Sequence, residues 1–119
     1  MAIILIVDDE PNVRTLLSIA FGDQYTVLEA ADGWEGFQLF EQHHPDLIIT
    51  DSNMPVMSGT EMVKRIRASG SQVKIIACST FRTPQAQERI VTAGVDLCLK
   101  KPADLTTLET AIAKLLETS

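Results

Sequence analysis

Residues 3–9 read Ile-Ile-Leu-Ile-Val-Asp-Asp, an unbroken apolar run that ends in two acidic residues. A continuous run of isoleucine, leucine and valine is typical of a strand that is covered on both faces, as in a parallel sheet. Four further apolar runs predict strands over residues 25–29, 46–50, 73–78 and 95–99. The first run, with its acidic end, therefore sets the pattern for the whole chain.

Apolar residues at helical spacing follow each predicted strand. The clearest stripe is the last, which places Leu105, Leu108 and Ile112 on one helical face after Asp104 as the N-cap. Five βα units in succession predict a parallel sheet with right-handed crossovers. We therefore expect an α/β, flavodoxin-like, doubly wound (βα)5 sandwich whose five-stranded parallel sheet has the order 2-1-3-4-5.

Length and charge narrow the possible functions. The chain has 119 residues, which suits one compact domain, and we expect residues 1–119 to form it. The net charge of -6 argues against direct binding to nucleic acid and against an anionic membrane surface as a partner. No apolar run approaches the roughly 20 residues that span a bilayer, and no signal-peptide pattern precedes the first strand. A cytoplasmic protein is the expectation.

The two cysteines, Cys78 and Cys98, both lie inside apolar runs. Neither has a histidine or a third cysteine at the spacing of metal ligands. We therefore expect two buried, reduced thiols, not a disulfide or a metal site.

Polar residues follow the predicted strands at the edge where a doubly wound sheet carries its functional groups. In the order 2-1-3-4-5, the first and third strands are neighbours, so Asp8, Asp9 and Asp51 would meet in one crevice. Ser79 follows the fourth strand and a lysine pair, Lys100 and Lys101, follows the fifth. Three carboxylates favour a hard cation such as Mg2+, and a nearby ammonium and hydroxyl would help to hold a phosphoryl group.

Each of these groups also has an ordinary structural interpretation. The Asp8-Asp9 pair suits a helix N-terminus, and Asp51 suits the cap of the turn that follows it. The lysine pair suits a solvated surface, and Ser79 suits the end of a strand. All four occur at one edge in five consecutive βα units, and this coincidence favours a functional site.

Three segments carry a resemblance to the response-regulator receiver domain of two-component signalling. Residues 4–11 (Ile-Leu-Ile-Val-Asp-Asp-Glu-Pro) resemble its first strand and acidic pair. Residues 46–59 (Asp-Leu-Ile-Ile-Thr-Asp-Ser-Asn-Met-Pro-Val-Met-Ser-Gly) resemble its phosphoacceptor strand and loop. Residues 94–102 (Gly-Val-Asp-Leu-Cys-Leu-Lys-Lys-Pro) resemble its Gly-Ala-Asp to Lys-Pro segment. The resemblance covers the whole chain without a gap.

The resemblance implies a role for each site residue. Asp51 is the phosphoacceptor, and Mg2+ is held by Asp8, Asp9 and Asp51 together with the backbone carbonyl of Asn53. Ser79 bonds a phosphoryl oxygen, and Lys101, which directly precedes the proline, pairs with the phosphoryl group.

The resemblance also implies the partners. The phosphoryl donor is the phosphohistidine of a sensor histidine kinase or a histidine phosphotransfer protein. The receiver catalyses the transfer to its own aspartate without being a conventional turnover enzyme. Its change of shape then controls a target protein or an output domain. The chain is either free-standing or part of a longer protein.

Two positions depart from the family pattern. Cys98 stands where the fifth strand usually carries Tyr or Phe. Thr80 stands where the family usually has Ala, directly after the Thr or Ser that Ser79 represents here. Because Cys98 offers no ring to swing inward, we expect the backbone of residues 79–84 and the side chain of Phe81 to carry the conformational change.

Two other classes of function fit less well. A flavin- or nucleotide-binding module on the same architecture needs a loop rich in Gly, Ser or Thr after the first strand, whereas here that loop is acidic. A pseudo-receiver, which is a protein-interaction scaffold that is never phosphorylated, usually lacks the phosphoacceptor, the acidic pair or the lysine. All of these are present here.

Overall fold

In the computed structural model, which describes residues 1–117, a five-stranded parallel sheet lies between helices on both faces. The strand order is β2-β1-β3-β4-β5, which confirms the predicted topology. The elements in chain order are β1 (Ile3–Val7), α1 (Pro11–Phe21), β2 (Thr26–Ala30), α2 (Gly33–His43), β3 (Leu47–Thr50), α3 (Gly59–Ala68), β4 (Lys74–Ser79), α4 (Pro84–Ala93), β5 (Leu97–Lys100) and α5 (Leu105–Glu117). The last two residues of the predicted domain, 118 and 119, lie outside the described part of the chain.

The sheet separates two apolar cores. On one face, Ile4 and Ile49 pack with Phe21 of α1 and Leu108 of α5. On the other face, the alternate strand residues pack with buried residues of α2 and α3, which include Phe40, Met62 and Ile66. β1, β3 and β4 are buried almost throughout, as their unbroken apolar runs predict for strands covered on both faces.

Some of the predicted strand boundaries are wrong. Tyr25 lies outside β2, because its N–H donates to the carbonyl of Phe21 and closes the turn after α1. Asp46 lies outside β3, where its carboxylate accepts the N–H of Ile3 at 2.7 Å. Ser79 belongs to β4 and pairs with Lys100, so the sheet extends further toward its carboxyl edge than the apolar pattern indicated.

Strand β5 also begins later than predicted. Val95 and Asp96 precede it, and the Asp96 carboxylate accepts the N–H of Ile75 at 2.8 Å and pairs with Arg67 at 3.2 Å. A side-chain acceptor thus replaces part of the backbone ladder at this end of the edge strand.

The helix ends follow the sequence signals in part. Asp104 accepts the N–H of Thr107 at 3.3 Å, as predicted for the N-cap of α5. The N-cap of α1 is Glu10, and its side chain makes no cap hydrogen bond. Neither Asp8 nor Asp9 is therefore the N-cap of α1, although the carboxylate of Asp8 accepts the N–H of Glu10 at 2.9 Å.

The two cysteines have different environments, although both are free thiols. Cys78 is buried, and desolvation raises the pKa of its thiol to about 11. Cys98 is only partly buried, so the prediction of two buried thiols is wrong for this residue. It lies on β5, an edge strand with a neighbouring strand on one side only.

Across residues 1–117, we find no helix with both the length and the apolar character needed to cross a bilayer.

Candidate functional site

The carboxyl ends of β1 and β3 bring the acidic residues of two distant segments together. Val7 pairs with Thr50, and the N–H of Asp51 donates to the carbonyl of Val7 at 3.0 Å. Asp8 continues β1 in the same way, since its N–H donates to the carbonyl of Ala30 at 3.0 Å. The ladder on either side therefore places Asp8 and Asp51 next to each other at one edge of the sheet.

Four carboxylates gather at this edge. Asp8, Asp9, Glu10 and Asp51 each offer an oxygen, and these oxygens all lie within 4.8 Å of one another. Asp8 and Asp51 are buried, whereas Asp9 and Glu10 are exposed. Burial raises the pKa of the Asp8 carboxyl, and the nearby charge of Asp51 adds to that rise. A set of oxygen ligands open to water on one side fits the preferences of Mg2+.

Lys101 provides the positive charge of the site. Its Nζ lies 2.7 Å from Oδ2 of Asp8 and 2.9 Å from Oδ2 of Asp51, with Glu10 at 3.4 Å. Burial lowers the pKa of Lys101, but the hydrogen bonds and charges of Asp8 and Asp51 outweigh that effect and raise it. The ammonium therefore stays charged between the two buried carboxylates. Its neighbour Lys100 is exposed.

The other oxygen of Asp51 is held by backbone. Oδ1 accepts the N–H of Ser52 at 2.6 Å and the N–H of Asn53 at 3.3 Å. Asp51 therefore caps the following turn, as its structural interpretation expected, and also faces Lys101 through Oδ2. Asn53 is exposed, and the role of its carbonyl as a metal ligand stays a prediction.

Gly59 allows the loop after β3 to pack closely against the start of α3. Its N–H donates to the carbonyl of Ser52 at 3.0 Å, and a Cβ atom at this position would collide with the carbonyl of Asp51. Thr50 also fixes that carbonyl, since its hydroxyl donates to it at 2.8 Å. The backbone that carries Asp51 is thus held from two sides.

Ser79 lies at the end of β4. In the described part of the chain, its side chain makes no hydrogen bond to Asp51. Its hydroxyl is 2.7 Å from the hydroxyl of Ser52, and both side chains are buried. Thr80 is exposed, and Phe81 turns back into the protein. Phe81 has a positive φ of 45° and packs with Ala77 and Ile90.

Three residues of the site were not singled out from the sequence. Glu10 adds a fourth carboxylate, and its position directly after the acidic pair was the available signal. Ser52 bonds Ser79, which no local pattern indicates because Ser52 lies in the loop after β3 and Ser79 at the end of β4. Arg14 on α1 donates to the carbonyl of Asp8 at 2.6 Å and fixes the acidic loop from the helix side.

Comparisons with known proteins identify a family to which this chain is similar. A family model described as the response regulator receiver domain matches residues 4–113. The sensor protein EvgS of Escherichia coli K12 is 36% identical over 113 residues, which are 94% of this chain and 9% of EvgS. The chain spans a similarly small share, 11%, of the sensor histidine kinase RcsC of the same organism.

Solved structures extend the likeness to the fold. The N-terminal domain of an uncharacterized protein from Wolinella succinogenes has a TM-score of 0.94 at 35% identity, covering 99% of this chain and 96% of that one. The chemotaxis protein CheY4 of Vibrio cholerae has a TM-score of 0.88 at 33% identity, covering 97% of this chain and 98% of that one.

Proposed function

The chain belongs to the response-regulator receiver family of two-component systems, and on that premise we propose that it accepts a phosphoryl group on Asp51 and signals by changing conformation. The observation that carries the proposal is the position of Lys101, whose ammonium joins the buried Asp51 and Asp8 at the open edge of the sheet. Such an arrangement places positive charge where a phosphoryl group on Asp51 would lie.

Residues of the chain itself accept the phosphoryl group, orient the acceptor and stabilise the charge during the transfer. The bond between phosphorus and the donor imidazole breaks as a bond from an oxygen of Asp51 forms. The backbone N–H groups of Ser52 and Asn53 orient the carboxylate, and Lys101 stabilises the negative charge of the phosphoryl oxygens. Asp8, Asp9, Asp51 and the carbonyl of Asn53 would hold Mg2+. When bound, this ion neutralises charge on the phosphoryl oxygens.

Loading the site then favours a second conformation. An aspartyl phosphate carries about 1.5 to 2 negative charges at neutral pH in place of the single charge of the Asp51 carboxylate, together with strong acceptor oxygens. Ser79 and Lys101 would each donate to it, at about 1.5–3 kcal/mol per charge-assisted bond. A nearly complete switch needs about 5.5 kcal/mol of differential binding. The two bonds contribute to it by the amount that exceeds the resting bonds of Ser79 to Ser52 and of Lys101 to Asp8 and Asp51.

The proposed partners follow from the relatives. The donor would be the phosphohistidine of a sensor histidine kinase or a histidine phosphotransfer protein, and the recipient of the signal a target protein or an output domain. Two-component relatives include the sensor proteins above and the halobacterial chemotaxis protein CheY, of which this chain covers 95% at 28% identity. We propose that residues 1–119 form a single receiver domain that acts in the cytoplasm.

Intact-mass measurement tests this function. Incubation with a small-molecule phosphodonor and Mg2+ should add the mass of one phosphoryl group, in an acid-labile form, to the wild-type protein. Asp51→Asn should abolish the gain, because an amide does not form an acyl phosphate. Asp23→Asn, which changes an exposed aspartate of the turn after α1, is the matched control and should label normally. Labelling of Asp51→Asn at normal stoichiometry would show that the acceptor lies elsewhere.

A further inference from the structure

Ser52, in the loop after β3, and Ser79, at the end of the neighbouring β4, form a buried pair. Ser52 directly follows Asp51, and Ser79 is the last residue of β4. Their hydroxyl oxygens lie 2.7 Å apart, and the two residues are 4% and 2% exposed. Within residues 1–117, each side-chain hydroxyl has the other as its hydrogen-bond partner. The resting structure therefore directs Ser79 toward Ser52 and not toward Asp51.

We propose that Ser52 is a positioning residue that holds Ser79 in the resting state and so sets how readily the domain switches. The inference rests on the proposed function, in which Ser79 donates to a phosphoryl oxygen on Asp51. Ser52 then acts on the response through Ser79, while its own backbone N–H orients Asp51.

The competition follows from the chemistry of a hydroxyl. Either hydroxyl can be the donor in the resting pair, and in both cases the Ser79 side chain is directed toward Ser52 and has to turn away from it to donate to a phosphoryl oxygen. A phosphoryl oxygen is charged, and charge-assisted hydrogen bonds are roughly twice as strong as neutral ones. The phosphoryl group therefore wins the contest for Ser79, but the loss of the bond to Ser52 offsets part of the gain.

The environment of the pair gives the sign of the effect. Without the hydroxyl of Ser52, Ser79 would be buried with no partner in the resting state, which is unfavourable. In the loaded state Ser79 would still have the phosphoryl oxygen. The substitution Ser52→Ala thus destabilises the resting state more than the loaded one. It leaves the hydrogen bond from the backbone of residue 52 to Asp51 in place.

The test is a titration with beryllofluoride in saturating Mg2+, in which amide chemical shifts report the binding. We expect Ser52→Ala to bind this phosphoryl mimic about three- to tenfold more tightly than the wild type, the range that one neutral hydrogen bond supports. Ser69→Ala, which removes a hydroxyl bonded to the carbonyl of Ile66 at the far end of α3, should bind like the wild type. Ser52→Cys, which has a weakly bonding side chain of similar size, should shift the affinity in the same direction by less.

A second background separates positioning from general loosening. In Ser79→Ala, the further substitution Ser52→Ala should have no effect on beryllofluoride affinity, because the side chain that Ser52 holds is gone. An unchanged or weakened affinity in both Ser52→Ala and Ser52→Cys would overturn the inference, as would an equal gain in the Ser79→Ala background. A failure of every protein to bind beryllofluoride, with the wild type included, would instead refute the proposed function and the inference with it.

Discussion

Two halves of the domain differ in how firmly they are held. The acceptor half consists of β1, β3 and the loops that follow them, and its strands are buried almost throughout. The response half consists of the loop after β4, α4 and β5. Within residues 1–117, α4 buries Ile90 alone, and β5 is partly exposed along its length. Free energies of local opening are lowest where few apolar contacts hold a segment, so we expect the response half to open more readily than the acceptor half.

The polar contacts also differ between the acceptor half and the response half. Asp8 and Asp51 are held by Lys101 and by backbone N–H groups, and the loop after β3 packs closely on Gly59. In the response half, Phe81 takes a positive φ of 45° while its ring is buried. Such a backbone conformation costs about 1–3 kcal/mol for a residue other than glycine and persists only where packing enforces it. Val56, in the loop after β3, also has a positive φ, of 67°, so this backbone conformation occurs in both halves. The acceptor half differs in the polar contacts that hold its carboxylates.

The largest expected effect falls on the acceptor half alone. Asp9→Ala removes an exposed carboxylate of the acidic cluster. Mg2+ affinity should fall by about tenfold to a hundredfold or more, because the loss of a group that only hydrogen-bonds a metal ligand already has an effect of that size. Calorimetric titration measures the Mg2+ affinity, with Asp23→Ala as the control. Unchanged affinity in Asp9→Ala would mean that the metal site has been placed incorrectly.

A smaller effect should appear where the two halves meet. The N–H of Lys101 donates to the carbonyl of Ser79 at 2.9 Å, while its ammonium bonds Asp8 and Asp51. Lys101→Ala should still accept phosphate, but its beryllofluoride affinity should fall by about tenfold or more through loss of a charge-assisted bond. Lys100→Ala, which removes the exposed neighbour, should change neither property. A loss that is equal in both variants would contradict the distinction between the two lysines.

The smallest effect concerns stability. Because burial raises the pKa of Asp8 in the folded protein, its charged form opposes folding at neutral pH. Asp8→Asn should therefore raise the melting temperature by a few degrees at pH 7 in metal-free buffer. This advantage should shrink as the pH falls through the raised pKa toward the unfolded value of about 3.8, where the wild type is protonated in both states. Asp23→Asn serves as the control, and an advantage that grows toward acid pH would contradict the assignment.

The sequence predicted the fold and the proximity of Asp8, Asp9 and Asp51, because both depend on strongly patterned elements. Continuous apolar runs identified β1, β3 and β4, and the rule that parallel strands end at one edge brought Asp8 and Asp51 together. The β5 boundary was missed because the carboxylate of Asp96 accepts the N–H of Ile75 there, while the N–H of Asp96 still donates to the carbonyl of Ile75. The partial exposure of Cys98 and the Ser52–Ser79 pair depend on which strands become neighbours and on how helices cover them. Local sequence does not encode either.

The most direct test of the division into two halves is a comparison of amide chemical shifts with and without beryllofluoride in the presence of Mg2+. We predict that Thr80, Phe81 and Arg82 shift along with the residues around Asp51. Ser79 would draw this loop with it, and Phe81, which packs with Ala77 and Ile90 at rest, would repack in place of the aromatic ring that β5 lacks at Cys98. If only the residues that touch Asp51 shift while residues 80–82 keep their resting positions, the response half does not respond, and this account of the coupling is contradicted.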